Sequence, residues 1–205
     1  MNKQAILAKY AKKFATKQNG SRPILEGIHY ATDGTAYVTD GHILLKVRNV
    51  HTLSDPTTVS VHSGMPIEGV YPSVTKIIPM KFDHEIQLGA GSLKDVLTRA
   101  TCAADTAKRL DKSDPLVRLV ADNGSVHFVV HDQDRKTEFR AFFGNTLKVF
   151  AAKWALNAEF LRLALSLFAD AGRDLTVKLS GSMSPIVLTD NEDIEILILP
   201  YRVAN

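Results

Sequence analysis

Asp40 and His42 stand two residues apart in the run Thr39-Asp40-Gly41-His42, with His29, His51 and His62 in the same part of the chain. On an extended strand that spacing puts a carboxylate and an imidazole on one face, the minimal pairing for general acid–base work or for two metal ligands. Either chemistry needs more than a pair. A nucleophile elbow, a phosphate-cradling loop or a metal-spaced cluster would have to accompany it, and the sequence carries none. The histidines near Asp40 are scattered, with no His-x-x-x-His spacing among them, and the chain has no cysteine pair. Asp40-Gly41 is also ordinary turn chemistry. The single cysteine, Cys102, has no partner for an internal disulfide or a metal cage, and its expected place is as a small buried helix residue. The expectation is a protein without catalytic residues, metal or cofactor.

A second group of residues has a different chemistry. Lys3, Lys9, Lys12, Lys13, Lys17 and Arg22 fall within the first 25 residues, with no acidic residue among them, although the whole chain carries only +3. Such an asymmetry suits phosphate contact or another anionic partner, against the alternative of a solvated helix face. The composition, 45% hydrophobic and 23% charged over 205 residues, has globular proportions and allows one large domain or two modest ones. No run reaches the roughly 18 apolar residues that span a bilayer, and the first residues have no signal-type apolar centre. A cytoplasmic protein with no membrane contact is the expectation.

The elements that must position these residues can be read from periodicity. Ile6, Leu7, Tyr10 and Phe14 recur at helical spacing, so residues 2–17 form an amphipathic helix that Asn19-Gly20 ends. Residues 23–31 and 35–38 read as strands joined at Asp33-Gly34, and residues 43–50 as a third strand. Residues 51–69 are broken by Ser, Gly and Pro, with one short strand at 58–61. Residues 71–79 read as an extended connector. Beyond it come a strand at 85–88 and a helix from Ser92, its N-cap, to about Ala104, with Leu93, Val96, Leu97 and Ala100 as the buried stripe. Strands follow at 116–121, 126–131, 137–143 and 149–155. Asn157 caps a further helix that Gly172 closes, and the last strands are 175–179, 185–189 and 194–199.

Residues 85–199 therefore repeat the order strand, helix, three strands, and residues 2–50 match one more copy without its leading strand. Helices packing on one face of antiparallel sheets make an α+β fold. Three separated segments then resemble the bacterial DNA polymerase III beta subunit, the sliding clamp. Ser21-Arg22-Pro23-Ile24-Leu25-Glu26-Gly27-Ile28 with Val38-Thr39-Asp40-Gly41-His42 is similar to the start of the clamp's middle domain, although Val38 stands where that family has alanine and Ile43 where it has arginine. Gly69-Val70-Tyr71-Pro72 with Ile77-Ile78-Pro79 resembles the connector to the final domain. Ser184-Pro185-Ile186-Val187 and Leu199-Pro200-Tyr201-Arg202-Val203 resemble the closing strands, with Tyr201 in place of methionine.

The resemblance implies DNA-clamp units, with residues 1–82 a partial clamp domain plus connector and 83–205 a complete one. It implies a non-enzymatic DNA replication processivity factor, with double-stranded DNA, polymerase and other clamp-binding peptides, and a clamp loader as partners. Helix-borne cations would contact DNA phosphates: Lys9, Lys12, Lys13 and Lys17, then Lys94 and Arg99, then Arg162. A peptide-binding groove would draw on Thr39, Gly41, His42 and Leu44, on Pro72 and Ile77, and on Leu197, Ile198, Leu199, Pro200, Tyr201 and Arg202. Three units per chain would need four chains, a homo-oligomer, to match a full ring. A different outcome is a clamp relative that never encircles DNA and occupies clamp-binding tails as a decoy or adaptor, which would suit a phage or plasmid.

Overall fold

The structure, a computed structural model, describes residues 1–132, 134–146 and 148–202. Its contacts divide the chain into two compact units, Met1–Ile78 with Thr189–Leu197, and Pro79–Leu188 with the tail from Ile198. The sequence places a boundary at residue 82. In the structure the first unit ends at Ile78 and also takes in most of the last strand.

The first unit begins with helix α1 (Lys3–Phe14), where the Asn2 side chain accepts the Ala5 N–H at 2.8 Å and so satisfies an otherwise orphaned donor. Its stripe of Ile6, Leu7, Tyr10, Ala11 and Phe14 is buried against strands β2 (Ala36–Thr39) and β3 (Ile43–Val47). Strand β1 (Gly27–Tyr30) is shorter than the sequence reading, because Pro23–Glu26 is a 3-10 turn. Pro23 sits at the first turn, where its fixed φ and missing N–H are tolerated, and the Leu25 N–H closes the turn on Arg22 at 3.0 Å. Strand β4 (Thr57–Ser60) pairs antiparallel with β1. The connector is likewise not fully extended, since Val74–Ile77 is a 3-10 turn that buries Val74. The last strand of the chain, Ile194–Ile198, lies beside β3, so the unit's strands run β4-β1-β2-β3 and then this strand.

The second unit contains β5 (His84–Leu88), α2 (Leu93–Leu110), β6 (Leu116–Asp122), β7 (Ser125–Asp132), β8 (Thr137–Asn145), β9 (Ala152–Asn157), α3 (Ala158–Ala171), β10 (Leu175–Leu179) and β11 (Ile186–Thr189). The chain then ends in β12, the strand already placed beside β3. The order strand, helix, three strands thus occurs twice, as the sequence repeat predicts. The pairing is crossed, however. Leading strand β5 pairs with β10 of the later copy, and leading strand β9 with β6 of the earlier one. One sheet runs β8-β7-β6-β9, while β11-β10-β5 forms the other part of the unit.

Helix α2 runs six residues past the expected Ala104, because Ala107 continues the buried stripe of Leu93, Val96, Ala100, Ala103 and Ala104. Leu97 is only half-buried at its edge, and Cys102 points outward and is exposed, one position off that stripe. Ser92 does not cap the helix. Its backbone is already helical, and its hydroxyl donates back to the Gly89 carbonyl at 2.8 Å. Small residues on α2 face α3, which buries Ala158, Ala164 and Ala171 among its leucines, so the two helices can approach closely. Asn157 does cap α3, accepting the Glu159 and Phe160 N–H groups at 2.9 and 3.3 Å, and Gly172 closes it at φ 67°. Strand β9 starts at Ala152, three residues later than expected, and carries the fully buried Trp154. Among the described residues no helix is long and apolar enough to cross a membrane.

Strand β1 packs closely on β4 at Gly27. A Cβ there would lie 2.7 Å from Thr58 Cγ2 and 2.8 Å from the Val59 carbonyl oxygen, so the pair would have to separate. Gly27→Ala should lower stability by about 1–3 kcal/mol in urea denaturation, whereas Gly91→Ala, which would meet nothing within 4 Å, should not.

Candidate functional site

In the first unit the Thr39–Leu44 segment is a tight hairpin built from its own side chains. The Thr39 hydroxyl donates to the Ile43 carbonyl at 2.6 Å and accepts the Gly41 N–H at 3.0 Å. The Asp40 carboxylate accepts the N–H groups of His42 and Ile43 at 2.8 and 3.0 Å. Gly41 sits at φ 99°, a left-handed value that a side chain would strain. The outcome is an exposed His42 imidazole at the tip and a buried Leu44 below it. The same wiring recurs at the other end of the chain. The Thr189 hydroxyl bonds the Ile194 carbonyl and the Asn191 N–H, and Asp190 accepts the N–H groups of Glu192, Asp193 and Ile194. Asn191 takes the left-handed position that Gly41 takes in the first turn. The sequence signal for this was a repeated Thr-Asp pair, and it ties Asp40 into backbone support.

The other histidines of this unit are similarly engaged. His51 receives the Leu53 N–H on Nδ1 at 3.1 Å, and its Nε2 faces the Thr35 carbonyl at 3.2 Å, so Nε2 carries the donated proton. His62 Nε2 lies 3.5 Å from the Thr16 carbonyl. His29 Nδ1 lies 3.0 Å from the Thr58 hydroxyl, and its ring stacks on Tyr71 with centroids 4.4 Å apart and planes 7° apart. Tyr71, rather than its neighbour Pro72, therefore packs into the unit along with the buried Val74, while Pro72 and Ile77 are exposed. The Tyr71 hydroxyl is buried toward the Thr39 backbone without a well-formed hydrogen bond, and burial pushes its ionisation far above the ordinary tyrosine range. Leu197, buried on the strand beside β3, shares this unit with Thr39, Gly41, His42 and Leu44. That strand is further fixed by Glu195, which pairs with Lys46 at 3.3 Å and Arg48 at 3.6 Å.

In the second unit Ile198 is buried, and Leu199 and Pro200 are half-buried. Tyr201 is built into the β9–α3 corner. Its N–H donates to the Ala155 carbonyl at 2.8 Å, its hydroxyl donates to Asp114, and the Asn157 side-chain amide donates to that hydroxyl at 3.2 Å. Burial and the Asp114 charge both raise its pKa. The residue that caps α3 thus also holds the closing segment, a link between distant residues with no local sequence signal. Arg202 is exposed, and Val203 lies outside the described residues.

The cations divide into two kinds. Lys9, Lys12 and Lys13 are exposed on α1, with Lys9 and Lys13 ammoniums 5.6 and 5.1 Å from the Tyr10 ring centroid, and Lys17 follows just beyond the helix. Lys3 turns away to pair with Asp193 at 3.1 Å. In the second unit, Lys94 is exposed. Arg99 lies over the Phe142 ring at 6.0 Å, and Arg162 is held by Glu159 one helical turn back. Glu159 also faces Lys108 at 3.9 Å, so the charge on the α2–α3 pair is largely compensated around it. Among the described residues no three His, Cys, Asp or Glu side chains are grouped to hold a metal ion.

Burial, and secondarily the nearby His51, lower the His29 pKa. The unfolded chain then takes up a proton that folded His29 resists, so this contribution is present above about pH 6.5 and declines as pH falls toward the depressed folded value. His29→Gln should flatten the loss of urea stability between about pH 7 and pH 5 relative to the parent chain. An unchanged slope would place that loss elsewhere.

No family model matches the sequence. The chain is 23% identical over 172 residues to the beta sliding clamp of Staphylococcus aureus, an alignment covering 81% of this chain and 40% of that protein. The crystal structure of the Bacillus subtilis DNA polymerase sliding clamp superposes with a TM-score of 0.80 at 17% identity, over 97% of this chain and 62% of that one. The Helicobacter pylori beta clamp bound to a DNA ligase peptide superposes with a TM-score of 0.74 at 14% identity, over 98% and 64%. This chain thus spans less than two thirds of the length of these proteins. The crossed βαβββ modules and their near-complete superposition give the chain the α+β fold of the bacterial DNA polymerase III beta subunit, the sliding clamp.

Proposed function

We propose that the chain acts as a sliding-clamp-like processivity factor in DNA replication, binding duplex DNA without reading bases and docking partner peptides. The observation that carries this reading is the superposition of 97% of the chain on a bacterial sliding clamp. The exposed cations of α1 add to it. A helix offering Lys9, Lys12 and Lys13 with no acidic residue in its length is suited to phosphates, and the binding would be salt-dependent and sequence-indifferent. In this reading α1 is the principal DNA-facing helix, with Lys17 and Lys94 adding charge. Arg99 and Arg162 contribute less, because Phe142 and Glu159 already engage them.

Peptide docking is the finer part of the proposal. The groove residues would be Thr39, Gly41, His42 and Leu44, Pro72 and Ile77, and the closing segment from Leu197 to Arg202. A related fold that holds a DNA ligase peptide supports it. So does a hairpin whose polar atoms are satisfied internally, leaving the exposed His42 available to a ligand. The role is non-enzymatic, with a homo-oligomer and a clamp loader as the arrangement that would put it on DNA.

Retention on primed circular DNA in the presence of a bacterial clamp loader, followed by release when the circle is cut, is the expected behaviour. Replacing Lys9, Lys12 and Lys13 together by glutamine should weaken duplex binding and reduce its salt slope by about three. A chain that binds clamp-binding peptides but is never retained on closed circles would instead be the decoy or adaptor. For docking, Leu199→Ala and His42→Ala should each weaken a polymerase-tail peptide by about fivefold to tenfold while the thermal midpoint stays within a few degrees. Unchanged affinity in both would remove these residues from the site.

A further inference from the structure

We propose that the helix-free face of the β8-β7-β6-β9 sheet docks an acidic protein segment, its carboxylates received by Arg118 and Arg140. This surface is separate from every residue used above. Along β6 and β7, Val117, Leu119, Ala121, Phe128 and Val130 are buried on the side that α2 covers. The alternate residues face a depression of about 710 Å³ that Arg118, Val120, Arg140 and Lys153 help to line, with Val129 buried at its floor.

The register sets the spacing. Arg118 lies opposite Val129, and Val129 opposite Arg140, so the two arginines stand two strands apart on one face, roughly 10 Å between backbones. Lys153 lies opposite Val120, one strand further over. Arg118 is half-buried in the middle of the sheet and pairs with no carboxylate among the described residues. A guanidinium cannot shed its proton, so a partly desolvated one without a counter-ion favours an anion. Arg140 has Glu138 at 3.7 Å, a distance that leaves its fork available.

The surroundings select a protein over a nucleic acid. Asp132 and Glu138 line the depression, with Asp122 on the adjoining one, and would repel a continuous polyphosphate. A peptide can place isolated carboxylates on the two guanidiniums, which suit bidentate pairing, and set an aliphatic side chain on the half-buried Val120 beside Arg118.

The test uses the full chain and a fluorescein-labelled short peptide of glutamates flanking leucines. Binding should be measurable by anisotropy at low salt and fall as salt rises. Arg118→Gln and Arg140→Gln should each weaken it by about tenfold, while Lys112→Gln, at an exposed lysine outside the depression, leaves it unchanged. Circular dichroism and the thermal midpoint report whether each variant is folded. Absence of binding, or equal binding by folded Arg118→Gln, overturns the proposal. So does tighter binding of a labelled single-stranded oligonucleotide that the same two variants abolish, which would make the face a nucleic-acid surface. Because this readout contains no DNA circle and no loader, its failure leaves the clamp-like reading to its own test.

Discussion

The crossed pairing of leading strands is the constraint on which the second unit depends. Strand β5 opens the first module yet hydrogen-bonds to β10 of the next, and β9 opens the second yet hydrogen-bonds to β6 of the first. Neither module can satisfy its backbone donors alone, so the two must fold together. The price of that arrangement is non-local contact, since β5 and β10 are joined by about ninety residues of chain, and loop closure precedes the pairing. What offsets it is the core under both helices, where Trp154, Phe128, Phe143 and Phe168 are fully buried, each contributing roughly 1.5–3 kcal/mol relative to exposure. The Trp154 indole N–H is not wasted in that core, since it donates to the Ser180 carbonyl at 2.9 Å.

The first unit obeys the same rule with fewer parts. Strand β4 flanks β1 as β9 flanks β6, and the strand at the end of the chain completes the other side next to β3. Arg48 N–H donates to the Asp193 carbonyl at 2.8 Å, and Glu195 sits between Lys46 and Arg48, so both backbone and charge fix that strand. The two Thr-Asp turns show how economically such a scaffold is made. One hydroxyl and one carboxylate satisfy the exposed N–H groups of a hairpin tip, which frees the residues at the tip from holding the backbone. His42 is one of those residues.

Charge is distributed in a way that follows from this packing. On α1 the lysines share the helix with no carboxylate, and the last-turn Lys12 and Lys13 also oppose the negative end of the helix dipole. On α2 and α3, Lys108 and Arg162 share Glu159 as a local partner, while Lys94 stands exposed. A surface of this kind concentrates any attraction for phosphate on one helix.

Sequence alone determined the α+β class, the repeated βαβββ order, the Asn157 cap with its Gly172 stop, and the amphipathic face of α1, because hydrophobic period and capping are local properties of adjacent residues. It also marked the Thr39–Leu44 hairpin, whose wiring spans five residues. It misread Pro23–Glu26 and Val74–Ile77 as extended, since a proline-bounded segment is compatible with both a strand and a 3-10 turn until a neighbour such as the core beneath Val74 selects one. It also placed Cys102 inside and ended α2 early, because a stripe made of alanines gives little periodic contrast. Which strand pairs with which, the stacking of Tyr71 on His29, and the capture of Tyr201 by Asn157 and Asp114 were decided only by tertiary structure. Those contacts join residues tens of positions apart, and their energy depends on burial that no local pattern records.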